Sequence, residues 1–111
     1  MSERFKKLND LLRDEVAKIL LAELEKEDNV LVTVIAADVS GTLEHATIKI
    51  SVFPPDKAAE VLKKIGKQIY NIQQLLNERL AMRPIPKIRF EIDTTEERAS
   101  QIEEKLKNLN N

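Results

Sequence analysis

One histidine, His45, and no cysteine stand among the 111 residues. A His–His or His–Cys metal pair therefore cannot be assembled, and a Ser–His–Asp arrangement would have to run through His45. That residue falls where an alternating apolar pattern begins, so it reads as a surface or strand-edge histidine. Gly41 and Gly66 are the only glycines, and neither lies in a phosphate-binding loop. The carboxylate pairs Asp14-Glu15, Glu96-Glu97 and Glu103-Glu104 are neighbours on predicted helices. Successive helical side chains point about 100° apart and do not converge for general acid–base work. The residues thus predict no catalytic group, no metal site, no cofactor and no small-molecule substrate.

A polar surface remains. Lys63, Lys67, Asn71 and Gln74 recur at three- and four-residue spacings, with Lys64, Gln68 and Tyr70 close beside them. Lysines contact phosphate, side-chain amides hydrogen-bond phosphate, sugar or base edges, and a tyrosine ring can stack on an unpaired base. An ordinary solvated helix presents the same residue types. The net charge of −1 argues against a polyanion partner, but its distribution does not. Residues 1–26 carry six basic and six acidic groups, 27–56 one and five, 57–92 eight and three, and 93–111 three and five. A basic middle is hidden in a near-neutral chain.

Hydrophobic spacing supplies the elements that position this surface. Phe5, Leu8, Leu12, Val16 and Ile19 mark an amphipathic helix over residues 2–26, with Ser2 as its N-cap. The β-branched run from Val30 to Ala36 predicts a strand buried on much of both faces. After a turn at Ser40-Gly41-Thr42, Ala46, Ile48, Ile50 and Val52 alternate with polar residues as a half-buried strand hairpinned to the first. Pro54-Pro55 ends it, and Ala58, Val61, Leu62, Ile65, Ile69, Ile72, Leu76 and Leu80 form the apolar stripe of a long helix reaching about residue 82. Ile88, Phe90 and Ile92 give a third strand, with Phe5 and Phe90 in the core. A last helix, capped by Thr94 or Thr95, turns Ala99, Ile102, Leu106 and Leu109 inward. The order α-β-β-α-β-α predicts an α+β domain, a three-stranded mixed sheet with helices packed on one face.

Length allows a single domain over 1–111, and 42% apolar with 33% charged residues is the composition of a globular, solvated chain. No apolar run approaches the roughly 20 residues that span a bilayer. A cytoplasmic monomer without membrane contact is expected.

Several short motifs resemble the ribosome-binding factor A family in order and spacing. Lys6-Lys7-Leu8 through Leu12-Arg13-Asp14-Glu15-Val16 to Ile19-Leu20 is similar to its opening helix. Leu31-Val32-Thr33-Val34 and Val39-Ser40, with Leu43, Ala46, Ile48 and Ser51-Val52, resemble its hairpin. Leu80, Arg83, Pro86, Ile88, Phe90 and Asp93 follow its ending. The resemblance implies a type-II KH-like fold and a bacterial assembly factor for the small (30S) ribosomal subunit. It implies binding to 16S rRNA and help with processing of the RNA's 5′ end. Lys63, Lys64, Lys67 and Arg83 would contact phosphate, Tyr70 would stack, Asn71, Gln73 and Gln74 would hydrogen-bond, and Lys6 and Lys7 would extend the footprint. Three features depart from the family pattern. Thr42 replaces a usual aspartate, Gln73 a commonly basic residue, and Ile69-Tyr70 the small pair at which the family's helix kinks. That leaves three alternatives for the long helix: a bend at Gly66, a bend at Ile69-Tyr70, or none. The competing reading is a protein-interaction module that uses the sheet face carrying Thr47, Lys49 and Arg89.

Overall fold

Helix α1 (Glu3–Glu23) places Leu12, Val16, Ile19 and Leu20 on one buried stripe. In the computed structural model, which describes residues 3–95, it is followed by β1 (Leu31–Val39), β2 (His45–Phe53), a 3-10 turn (Pro55–Lys57), α2 (Ala58–Arg79) and β3 (Lys87–Ile92). The sheet order is β1-β2-β3, with β1 antiparallel and β3 parallel to β2. Helix α2 is the crossover that parallel pairing requires. The expected mixed sheet and its element order hold through β3.

Ala46, Ile48, Ile50 and Val52 are buried along β2, while His45, Lys49 and Phe53 are exposed. One face of the sheet therefore meets α1 and α2 and the other carries no helix among the described residues. Ile65, Ile72 and Leu76 of α2 complete the core between the layers. At about 25 cal/mol per Å² of apolar area, this burial is the main term opposing chain entropy.

Several expectations need correction. Strand β1 is not buried on both faces: Leu31 is 64% and Ile35 41% exposed. Among the described residues it is an edge strand covered on one side only, and an irregularity between Val34 and Ala36 shifts its register to β2. Helix α2 stops at Arg79 because Leu80 turns extended, φ −104° and ψ 136°, which carries its side chain into the core. Phe5 and Phe90 are half-buried and sit at the margin. The hairpin turn extends past Thr42 to Leu43, which takes the left-handed conformation, φ 63°.

Helix α2 runs unbroken through Gly66 and Ile69-Tyr70, about 33 Å of α-helix at 1.5 Å per residue. The Ser2 cap and the inward Ala99, Ile102, Leu106 and Leu109 lie outside the described residues. On the way to that segment, Asp93 Oδ1 accepts from the backbone N–H of Thr95 at 2.9 Å, a capping contact expected of Thr94 or Thr95 themselves.

Candidate nucleic-acid interface

Contacts between the two helices fix which side of α2 faces outward. Arg79 Nε donates to Glu15 Oε2 at 2.6 Å, Asn71 Nδ2 to Glu23 Oε2 at 3.3 Å, and Lys64 Nζ to Glu27 Oε2 at 3.4 Å. As the α2 number falls the partner number rises, so the helices are antiparallel. The flank of α2 carrying Lys64 and Asn71 leans on α1 and the loop after it.

Lys63, Lys67, Tyr70 and Gln74 follow one another at four, three and four residues and are all exposed, Tyr70 to 77%. At 100° per residue they fall within about 60° of arc, a tighter stripe than one drawn through Asn71. Lys63 and Lys67 make no ion pair among the described residues. Over about 16 Å this stripe offers two ammonium groups, an aromatic face and an amide. It is chemistry suited to phosphate and an unpaired base.

The other sequence candidates do not join it. Lys64 is held by Glu27, and Asn71 also donates to Gln68 Oε1 at 3.4 Å. Gln73 lies on the opposite flank, toward β3. Its Oε1 accepts from Ile88 N at 2.9 Å, and its Nε2 donates to Pro86 O and to Asn77 Oδ1, each at 3.1 Å. Arg83 donates from Nη1 to the carbonyls of Leu80 (2.9 Å) and Met82 (2.6 Å) and from Nη2 to Asn77 O (3.3 Å). It thus ties the turn after α2 to the helix end at Asn77 O, where a cation also complements the helix dipole. Lys6 and Lys7 are exposed on the first turns of α1, at the Arg83 end of the helical layer and far from Lys63. The ten candidates therefore divide into an outer stripe, two bonded flanks and a distal end.

Ion pairs shape the local field. Lys57 lies 3.6 Å from both Glu60 and Glu27, and these carboxylates, Glu60 first, raise its pKa above the ordinary lysine value. The hydrogen bond from Arg79, aided by Lys18, lowers the Glu15 carboxyl below its usual value despite some burial. Among the described residues no group of three or more His, Asp or Glu could hold a metal, and no helix is long and apolar enough to cross a membrane. Sequence reasoning gave Lys87 no site role and placed Arg89 only on the sheet face of the protein-interaction reading. Their two-residue spacing on a strand was the signal that they share an outward face.

Comparison with known proteins follows the same lines. The family profile of Ribosome-binding factor A matches residues 4–106. A ribosome-binding factor A from Rippkaea orientalis is 31% identical over 105 residues, covering 91% of this chain and 81% of that protein. The crystal structure of ribosome-binding factor A from Thermus thermophilus superposes with a TM-score of 0.66 at 19% identity, over 79% of this chain and 93% of that one. A Thermus thermophilus homology model fitted into the cryo-EM map of a 30S–RbfA complex gives 0.64 at 20% identity, over 78% and 91%. The α+β architecture is that of these structures, and a type-II KH-like description is consistent with them.

Proposed function

Since the chain belongs to the ribosome-binding factor A family, we propose that it binds the small ribosomal subunit before maturation is complete, through 16S rRNA. A Thermus thermophilus relative is described in complex with 30S. The reading is of a cytoplasmic, single-domain binding factor without a catalytic step or cofactor. By holding one arrangement of the RNA it favours correct folding and leaves the 5′ end open to separate nucleases.

The observation that carries this reading is the outward stripe of α2. Lys63 and Lys67, without acidic partners among the described residues, contact phosphate, Gln74 hydrogen-bonds, and Tyr70 stacks on an unpaired base. Lys64 and Asn71 flank the stripe and join once their α1-side carboxylates are released. Arg83, Lys6 and Lys7 extend the footprint at the far end, whereas Gln73 acts by fixing β3.

Charge reversal tests the stripe. The K63E/K67E variant leaves the Lys64–Glu27 pair intact, so it perturbs the surface without loosening the fold. It is expected to co-sediment more weakly with immature small subunits. Its log–log salt dependence should flatten by about 0.9 for each lost phosphate contact. Unchanged co-sedimentation would overturn the assignment.

A further inference from the structure

The sheet face away from the helices has a cationic end. Lys87 and Arg89, two apart on β3, share this face. Parallel register sets Lys87 beside His45 and Arg89 beside Thr47 of β2, and Thr47 stands opposite Asp38 of β1. Arg89 donates its Nε–H to Thr47 Oγ1 at 3.1 Å. No partner among the described residues holds its two terminal amino groups or the Lys87 ammonium.

This arrangement presents a fork. The bond to Thr47 fixes the guanidinium plane and leaves both Nη groups outward, the geometry that takes two oxygens of one phosphate. Asp38 lies two strands from Arg89, roughly 10 Å away by strand spacing, and makes no ion pair with it; Glu44, whose carbonyl accepts the Lys87 N–H at 2.9 Å, is the acid that borders Lys87. Glu91, the next outward residue of β3, is matched in register by Lys49. Asp38, Ser40, His45, Thr47, Lys87 and Arg89 line an open concavity of about 520 Å³. Among the described residues the one aromatic on this face, Phe53, is at the other end of β2. The surface suits a backbone phosphate and not a stacked base.

Neighbouring elements enlarge it. Val39 N donates to Asn9 Oδ1 at 2.9 Å, which brings the first turns of α1, with Lys6 and Lys7, to this end of the sheet. Gln73 ties Pro86 and Ile88 to α2, which places Arg83 there as well. The Lys63–Lys67 stripe lies at the other end and on the opposite face.

We propose that Lys87, Arg89 and His45 form a second RNA-phosphate site on the open sheet face, so that the domain holds two RNA segments at once, one on each face. The inference rests on the rRNA-binding reading above and adds a site to it.

Binding of the full chain to immature small subunits and to a naked 16S rRNA transcript, across a salt series, tests both. K87E/R89E is expected to bind each on the order of tenfold more weakly at about 0.1 M salt, with a slope smaller by about 2. Because the two sites are distant, its loss should multiply with that of K63E/K67E. If K87E/R89E matches wild type in affinity and slope while K63E/K67E is weakened, the second site is wrong and the rRNA reading stands. If wild type binds neither target, both fall. Weakening on particles alone, with the transcript unaffected, would mean that a protein meets this face, and would overturn the RNA assignment. Should charge reversal lower the urea midpoint, K87Q/R89Q replaces it, and the same weakening in smaller degree is expected.

Discussion

Replacing Gln73 by alanine removes an amide that the folded chain engages at both of its polar ends. Among the described residues strand β3 lies at the edge of the sheet, with β2 its only strand partner, so its outer N–H groups face no neighbouring strand there. Gln73 Oε1 takes the Ile88 N–H, and Nε2 takes Pro86 O together with Asn77 Oδ1. Each of the two backbone contacts is worth about 1 kcal/mol net, and leaving part-buried backbone groups unmet adds to the loss. Alanine returns a few tenths through its better helix propensity. The sum is about 2 kcal/mol of destabilisation, or roughly 10 °C in Tm for a domain of this size. Urea denaturation of Q73A should show a lower midpoint with an unchanged slope. Gln73→Glu should fall similarly, because it keeps the acceptor for Ile88 but turns an oxygen toward Pro86 O and Asn77 Oδ1. At a temperature where Q73A remains folded, its affinity for small subunits and the salt dependence of binding should equal wild type. A variant with wild-type stability and lost binding would refute the reasoning, because Gln73 would then be an RNA contact and not a clamp.

Two further outcomes follow from single residues. Gly66 lies within α2 without a positive φ, and a Cβ built there meets nothing within 4 Å. Gly66→Ala should stabilise by up to about 1 kcal/mol with binding unchanged, and a lower Tm would show that the helix needs glycine there. Glu15→Gln weakens the bridge to Arg79 and should cost up to about 1 kcal/mol at neutral pH, discounted for the half-exposed guanidinium. The folded Glu15 pKa lies below its ordinary 4.5, so this stability is fully present above 4.5 and is lost as pH falls through the lowered folded value. The gap in urea midpoint between wild type and E15Q should therefore close in acid, and an undiminished gap at about pH 3 would contradict it.

Local periodicity was legible and long-range partnership was not. The alternation of Ala46, Ile48, Ile50 and Val52 gave β2 its buried face because a strand with one covered side must repeat at two. The run from Val30 to Ala36 contains the same residue types whether one face or both are covered. Only the position of β1 at the sheet edge decides between them, and residue types do not carry that position. Likewise Lys63, Lys67, Tyr70 and Gln74 share a helix face by spacing alone, a fact written in the chain. Gln73 has the same chemistry as Gln74, and only the return of residues 86–88 against α2 makes it a clamp. The role of Arg83 depends on where α2 ends: with the helix drawn to about residue 82 it reads as a free cation, whereas a stop at Arg79 puts it in the turn, tied back to the helix end at Asn77 O.

Net charge is a poor guide to the local charge of a surface, for a reason visible in the ion pairs. Screening confines an exposed charge's influence to about 8 Å at physiological salt, so a phosphate responds to neighbouring groups and not to the total of −1. The carboxylate nearest Lys63 along α2, Glu60, is engaged by Lys57, and Glu27 is shared between Lys57 and Lys64. Glu15 is held by Arg79 and Lys18, and Asp10 and Asp14 by Arg13. These acids are neutralised close to the surfaces they would otherwise oppose. Lys63 and Lys67 on one face, and Lys87 and Arg89 on the other, keep outward cationic groups without an acidic partner among the described residues. A sequence with nearly balanced charge can thus present a basic stripe on α2, provided the fold pairs the nearby acids locally with other lysines and arginines.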